Sequence, residues 1–153
     1  MISQVPRLSF LYSRFTIEPS VPFPSGQTAY RPFMIAHIAG TNNHHQQVIV
    51  CLDTGADSCI FPLSFAGLIG LDPLQMPMQM TGGVGSMANP TYYAHIEIQL
   101  RVSGGPTLSF KTFAGFTAAL EAQGIGLLGQ VGFFENYSAT FDHRNRLFHI
   151  DYA

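Results

Sequence analysis

The residues that could do chemistry are concentrated in segment 48–58, where an apolar run ends in a carboxylate. Residues 48–52 (VIVCL) have the composition of a buried strand, and Asp53, Thr54 and Gly55 follow directly. A carboxylate against a buried strand is costly unless it has a partner. An ordinary turn capped by Asp and Thr would explain the tripeptide. The functional alternative is a carboxylate that works as an acid or a base.

Two carboxylates that face each other would give Asp53 such a role. Like charges about 3 Å apart cannot both ionise, so the pair shares one proton, with one pKa raised and the other lowered. One carboxylate then accepts a proton from water, while the protonated one donates a hydrogen bond to a carbonyl oxygen. The chain contains one Asp-Thr-Gly.

The composition limits the class of protein. A chain of 153 residues can form one domain with a sizeable core, and 46% hydrophobic with only 10% charged residues is typical of a globular protein. A net charge of -2 and a single lysine, Lys111, argue against a nucleic-acid partner. Two cysteines, Cys51 and Cys59, make no disulfide framework and favour a reduced, intracellular setting.

Neither a signal peptide nor a membrane segment is expected. Arg7 and Arg14 interrupt the N-terminal apolar residues, and no run approaches the ~20 apolar residues of a membrane helix. We therefore expect a cytoplasmic protein or the soluble domain of a larger one.

The spacing of apolar runs predicts an all-β protein. Residues 33–39 and 46–52 predict a hairpin that ends at Asp53, and residues 76–80 and 88–100 predict a second hairpin with a glycine-rich tip. The other predicted elements are strands at 60–63 and 108–116, a helical turn at 64–71, a short helix at 133–137 and a closing hairpin at 139–152. Residues 1–30 are predicted to be an extension with a possible edge strand at 8–12, and residues 31–153 the main domain.

Two other motifs carry little weight. Gly124-x-Gly126-x-x-Gly129 matches a dinucleotide fingerprint as a string, but the strand and long helix that it needs are absent from the predicted elements. The pair His44 and His45 has no third metal ligand nearby. No metal and no cofactor are predicted.

Four sequence features occur in the same order as in a known protein family, and together they carry a resemblance to it. The run Leu52–Ser58 (LDTGADS) resembles the active-site signature of retroviral-type aspartic proteases (retropepsins), which read D-T-G-A-D. The hairpin 33–52 resembles the one before their catalytic turn, and 82–85 resembles the glycine tip of their flap. Leu127–Gly129 resembles the hydrophobic-hydrophobic-Gly motif that crosses behind that turn. The closing segment 141–147 is more similar to cellular, especially bacterial, single-domain relatives than to viral ones.

The resemblance implies a closed acid-protease barrel with a flap hairpin and one short helix near the C-terminus. It implies an aspartic endopeptidase with a polypeptide substrate, in which Asp53 is the catalytic carboxylate. The implied supporting residues are Thr54 and Gly55, and the implied substrate-binding residues are Ala56, Asp57, Gly82, Gly83 and Val84.

The resemblance also implies a C2 homodimer, because one chain supplies one Asp53. Its terminal strands, 149–153 and 8–12, would join the two copies. The chain departs from the family at Gln130, where retroviral enzymes carry an arginine that pairs with the second Asp of the signature. The pairing of Asp57 is therefore open. Two other functions remain: a catalytically silent peptide-binding or assembly module on this fold, and a monomeric β-barrel carrier.

Overall fold

The computed structural model describes residues 4–82 and 87–152. The strands are β1 (Arg7–Leu11), β2 (Ser13–Ile17), β3 (Gln27–Arg31), β4 (Phe33–Ala39), β5 (His45–Leu52), β6 (Ile60–Pro62), β7 (Met78–Thr81), β8 (Asn89–Arg101), β9 (Thr107–Thr117), β10 (Ile125–Leu128), β11 (Ser138–Asp142) and β12 (Leu147–Asp151). One short α-helix, α1 (Ser64–Leu68), is found in this part of the chain.

The chain divides into two compact units. One is Met34–Asn136, and the other combines Met1–Phe33 with Tyr137–Ala153. The proposed boundary after residue 30 stays a prediction. No helix in the described ranges is long and apolar enough to cross a membrane.

A closed barrel of six strands forms the unit Met34–Asn136. The strand order is β4-β5-β10-β6-β9-β8, and antiparallel pairing of β4 with β8 closes it. β7 extends the sheet beyond β8 as one arm of a hairpin. The all-β closed barrel expected from the sequence is confirmed.

Alternation along β8 shows why these residues form a barrel wall. Ile96, Ile98 and Leu100 are buried, whereas Glu97 and Gln99 between them are only partly buried. A period of two places one set of side chains in the core and the other outside. The pattern predicted from the sequence therefore corresponds to the inner and outer faces of the barrel.

The helical turn predicted at 64–71 is present as α1, whereas the prediction of a short helix at 133–137 is wrong. That segment is a series of turns. The N–H groups of Phe134 and Glu135 each donate to a carbonyl five residues back, and the side chains of Glu135 and Asn136 bond to the backbone of Gly132. Side chains thus bond to the backbone groups of Gly132, where a helix would use backbone bonds between residues four positions apart.

The unit formed by the chain ends contains a three-stranded sheet of order β1-β12-β11. Phe10 on β1 stacks on Phe148 of β12, with ring centroids 5.1 Å apart, and Phe148 and Ile150 are buried. The Arg7 guanidinium donates to both Asp151 carboxylate oxygens, at 2.6 and 3.0 Å. Apolar pairs inside and an ion pair at the surface therefore hold β1 against β12.

A second hairpin in the same unit, β2 with β3, was not predicted. The prolines at 19, 22 and 24 suggested an extended loop, and they lie only in the connection between the two strands. Arg146 lies over the Tyr30 ring, 3.9 Å from its centroid, and so ties the hairpin to the three-stranded sheet.

Acidification is expected to destabilise the unit of the chain ends. Hydrogen bonds from Arg7 lower the pKa of Asp151, and hydrogen bonds from Asn145 lower the pKa of Asp142. A carboxyl group with a lowered pKa in the folded state stabilises that state above its unfolded pKa, and this contribution is lost as pH falls through the folded pKa. The free energy of unfolding should therefore begin to fall below about pH 4.

The measurement is the unfolding midpoint of the whole chain between pH 6 and pH 2.5. The double variant Asp142→Asn, Asp151→Asn should show a shallower decline over the acidic part of this range. Equal slopes for the two proteins would contradict the prediction.

Candidate active site

Asp53 lies directly after β5, where this strand runs parallel to β10. Leu52 pairs with Leu128, both are buried, and the Asp53 N–H donates to the Leu128 carbonyl oxygen at 3.0 Å. The apolar strand ends are thus fixed in the barrel wall. They place Asp53 at its rim, half-buried.

The Asp53 carboxylate closes the turn that follows. Its Oδ1 accepts the Gly55 N–H at 2.9 Å, and the Asp53 carbonyl oxygen accepts the Ala56 N–H at 3.2 Å. The capped turn considered above is therefore present. No hydrogen bond to Asp53 Oδ2 is found within the described ranges, so the turn engages one oxygen of the carboxylate.

The segment after β10 crosses behind this turn and bonds to it. The Gln130 N–H donates to the Ala56 carbonyl oxygen at 2.9 Å, and the Val131 N–H donates to the Asp57 carbonyl oxygen, also at 2.9 Å. The Gln130 side-chain Nε2 donates to the Thr54 carbonyl oxygen at 2.8 Å. Two residues of the crossing segment thus bind three backbone carbonyl groups of the turn region, those of residues 54, 56 and 57.

Gly129 allows this crossing. A Cβ atom there would lie 2.5 Å from the Ala56 carbonyl oxygen and even closer to that of Ser58. Real Cβ atoms do not approach backbone oxygens so closely. The crossing geometry therefore requires glycine at this position.

The Gln130 side chain bonds to the Thr54 backbone. No ion pair or hydrogen bond to the Asp57 carboxylate is found in residues 4–82 and 87–152. Asp57 is exposed. In this chain the neutral side-chain amide of Gln130 thus stabilises the turn by a hydrogen bond to the backbone of the turn.

A cleft of about 500 Å³ opens in front of the turn. Its lining residues are Asp53, Gly55, Ala56, Asp57, Ser58, Ile60, Thr81, Gly82, Asn89, Tyr93, Thr117, Ala119, Leu120 and Leu127. The structure thus brings together five of the predicted site residues. Thr54 is exposed and is not part of this lining. Gly83 and Val84 lie outside the described residues.

Sequence reasoning missed several lining residues from the long strands. Tyr93 on β8 and Thr117 at the end of β9 both face the cleft, and the Thr81 hydroxyl is hydrogen-bonded to that of Thr91 across β7 and β8. Tyr93 lies within the predicted hairpin arm 88–100, but the local sequence does not indicate that it lines the same cleft as Asp53.

Cysteine chemistry has no support at this site. Burial raises the pKa of the Cys59 thiol, which disfavours the reactive thiolate. No group of three or more potential metal-binding side chains occurs in the described part of the chain. The carboxylates among the cleft-lining residues are those of Asp53 and Asp57.

Replacing Gln130 by alanine should loosen the turn. The side-chain bond to Thr54 is lost while the backbone bond to Ala56 remains, so we expect a loss of about 1 kcal/mol in the free energy of unfolding. Amide hydrogen exchange at residues 54–57 should also become faster. Urea unfolding and exchange measurements check both, with Gln123→Ala on the exposed loop as the control. Unchanged exchange in the Gln130→Ala protein would contradict the prediction, because the backbone bonds alone would then hold the turn.

The comparisons with known proteins concern the whole chain. No protein-family model and no curated protein matches it. Among solved structures, it is similar to the crystal structure of a retropepsin-like aspartic protease from Rickettsia conorii. The identity is 17%, over 99% of this chain and 97% of that chain, with a TM-score of 0.49. A similarity at this level transfers no residue role to this chain.

Proposed function

We propose that the chain is an aspartic endopeptidase, in which two Asp53 carboxylates of a homodimer activate water for peptide hydrolysis. The observation that carries the proposal is the position of Asp53. It follows a buried strand, lines a cleft, and sits on a turn held from behind by the segment 128–131. The resemblance of residues 52–58 to the D-T-G-A-D signature supports the same role.

The proposed reaction needs one proton shared between two carboxylates. The ionised Asp53 takes a proton from water as the water oxygen attacks the peptide carbonyl carbon, and the protonated Asp53 hydrogen-bonds to the carbonyl oxygen. The tetrahedral intermediate then collapses as the C–N bond breaks. The Asp53 that took the proton from water gives it to the amine nitrogen, and the other Asp53 retains its own proton, so the pair again holds one proton. No covalent bond to the protein forms. The Gly55 N–H bond to Oδ1 would hold each carboxylate in orientation.

The other predicted residues would position the substrate. Ala56, Asp57 and Gly82 line the cleft, and we propose that they contact an extended peptide together with Gly83 and Val84. Main-chain hydrogen bonds would contribute most of the affinity, as in strand addition to a sheet. Thr54, which is exposed and is not part of the cleft lining, is proposed to bridge the two turns across the dimer.

We propose that the two copies meet at a surface other than an edge of β12. That strand lies between β1 and β11 of its own chain, so the second copy cannot pair with 147–151 unless one of them moves. Among the described strands of this sheet, β1 and β11 each have one edge without a strand partner. We propose that one of these edges contributes to the contact between copies.

Solution mass tests the dimer directly. Sedimentation equilibrium at the concentration used for a peptidase assay should give twice the mass of one chain, and specific activity should fall on dilution through the dissociation range. An active monomer would contradict the proposal, because one chain has one Asp-Thr-Gly.

The alternative is a catalytically silent peptide-binding or assembly module. The observation that favours it is the neutral Gln130, which leaves Asp57 without a cationic partner in the described ranges. This alternative predicts a peptide complex with no turnover and no inhibition by pepstatin-like compounds at any pH from acid to neutral. The peptidase assay separates the two functions.

A further inference from the structure

The carboxylate of Glu121 joins a wall of the cleft to the start of α1. The Ser64 N–H donates to Glu121 Oε1 at 2.5 Å, and the Ser64 hydroxyl donates to Oε2 at 3.0 Å. Both oxygens of one carboxylate are therefore bound to one residue that lies 57 positions earlier in the chain. Charge-assisted hydrogen bonds of this two-point kind restrict both distance and orientation.

The loop that carries Glu121 also lines the cleft. Ala118–Leu120 forms a 3-10 turn after β9, and Ala119 and Leu120 face the cleft beside Asp53. The Glu121 N–H donates to Ala118 and the Gly124 N–H to Leu120, so these bonds close within the loop. Among the hydrogen bonds of the described residues, those of the Glu121 side chain connect residues 118–124 to another element.

Both ends of the loop are anchored by the barrel. At its start, the Thr117 carbonyl oxygen accepts the Leu63 N–H at 3.0 Å, and at its end Ile125 pairs with Ile49 in the sheet. Between these anchors, residues 118–124 are largely exposed. The bond to Ser64 lies in the middle of this span, where it restricts the loop most.

We propose that Glu121 is a positioning residue that holds residues 118–121 in place as a wall of the cleft. A polypeptide bound beside Asp53 would contact Ala119 and Leu120. A wall that is already ordered saves the entropy that a mobile loop would lose on binding. Glu121 would thus set the affinity for polypeptide, while the reaction at Asp53 proceeds without its contact. The inference rests on the proposed function for its substrate class.

A purely structural role makes a different prediction. If the contact only stabilised α1, its loss would reduce the fraction of folded enzyme and so lower apparent kcat, with KM unchanged. A positioning role instead raises KM and leaves kcat nearly constant. The split between KM and kcat therefore distinguishes the two.

The experiment compares Glu121→Ala with Glu121→Gln in the full chain, with labelled β-casein as the extended polypeptide. For Glu121→Ala we expect KM to rise about five- to tenfold, with kcat within about twofold of wild type. Glutamine can accept the Ser64 N–H and donate to the Ser64 hydroxyl, so Glu121→Gln should recover most of the affinity. Glu18→Ala, which removes another exposed carboxylate, serves as the matched control.

Two further measurements keep the inference separate from the proposed peptidase activity. The dissociation constant for casein, measured in an Asp53→Asn background, should rise by the same factor in Glu121→Ala even if the chain cleaves nothing. Amide exchange at 118–124 in the free protein should be faster in Glu121→Ala than in Glu121→Gln, and Ser64→Ala should lie between them. An unchanged dissociation constant, or exchange equal to wild type in Glu121→Ala, would overturn the inference.

Discussion

Replacing Asp53 by asparagine is expected to abolish the proposed peptide cleavage and leave the fold and the proposed dimer intact. Asparagine retains a carbonyl oxygen that can accept the Gly55 N–H, now held by Oδ1 at 2.9 Å, so the turn should persist. The amide cannot accept a proton from water at any working pH. General acid-base catalysis by one group contributes about 10²–10⁴-fold. Since both members of the pair change together, we expect a loss of at least about 10³-fold.

The measurement is casein hydrolysis, with circular dichroism and solution mass recorded on the same samples. Asp72→Asn is the matched control, because Asp72 also closes a turn through its side chain, accepting the Leu74 N–H at 3.0 Å. Asp72 is not among the cleft residues, so its variant should keep full activity. Retained activity in Asp53→Asn would mean that the assignment is wrong.

Replacing Gly129 by alanine should lower the free energy of unfolding more than the Gln130→Ala substitution does. The added Cβ would meet backbone oxygens of residues 56 and 58, and these cannot move aside as a side chain would. Overpacking in a core costs about 1–3 kcal/mol, and we expect about 3 kcal/mol or more here because the clash is with backbone. The turn that carries Asp53 should be displaced in any protein that still folds.

Urea unfolding measures this loss. Gly67→Ala is the control, since Gly67 lies in α1 and a Cβ there would meet no atom within 4 Å. Alanine favours helix over glycine, so this variant should be as stable as wild type or slightly more stable. A Gly129→Ala protein with wild-type stability would show that the crossing segment can shift away from the turn.

Several strands and the hairpins between neighbouring strands could be predicted from local pattern, whereas the pairing of strands distant in the chain could not. The spacing of apolar residues predicted β4, β5, β8 and β9, because burial of one face acts on each strand separately. The helix predicted near the C-terminus failed since side chains of Glu135 and Asn136 compete for the backbone of Gly132. The β2–β3 hairpin was missed because the prolines between its strands dominated the local composition.

The sequence by itself determined where Asp53 stands, because an apolar strand, an Asp and a Gly two residues later are enough to build the turn locally. It also determined that one chain carries one such turn. Only the tertiary structure decided that β5 lies beside β10, that Gln130 bonds to Thr54, and that Glu121 reaches Ser64. Those contacts join residues more than 50 positions apart. Their geometry depends on the closed barrel as a whole, which no local pattern encodes.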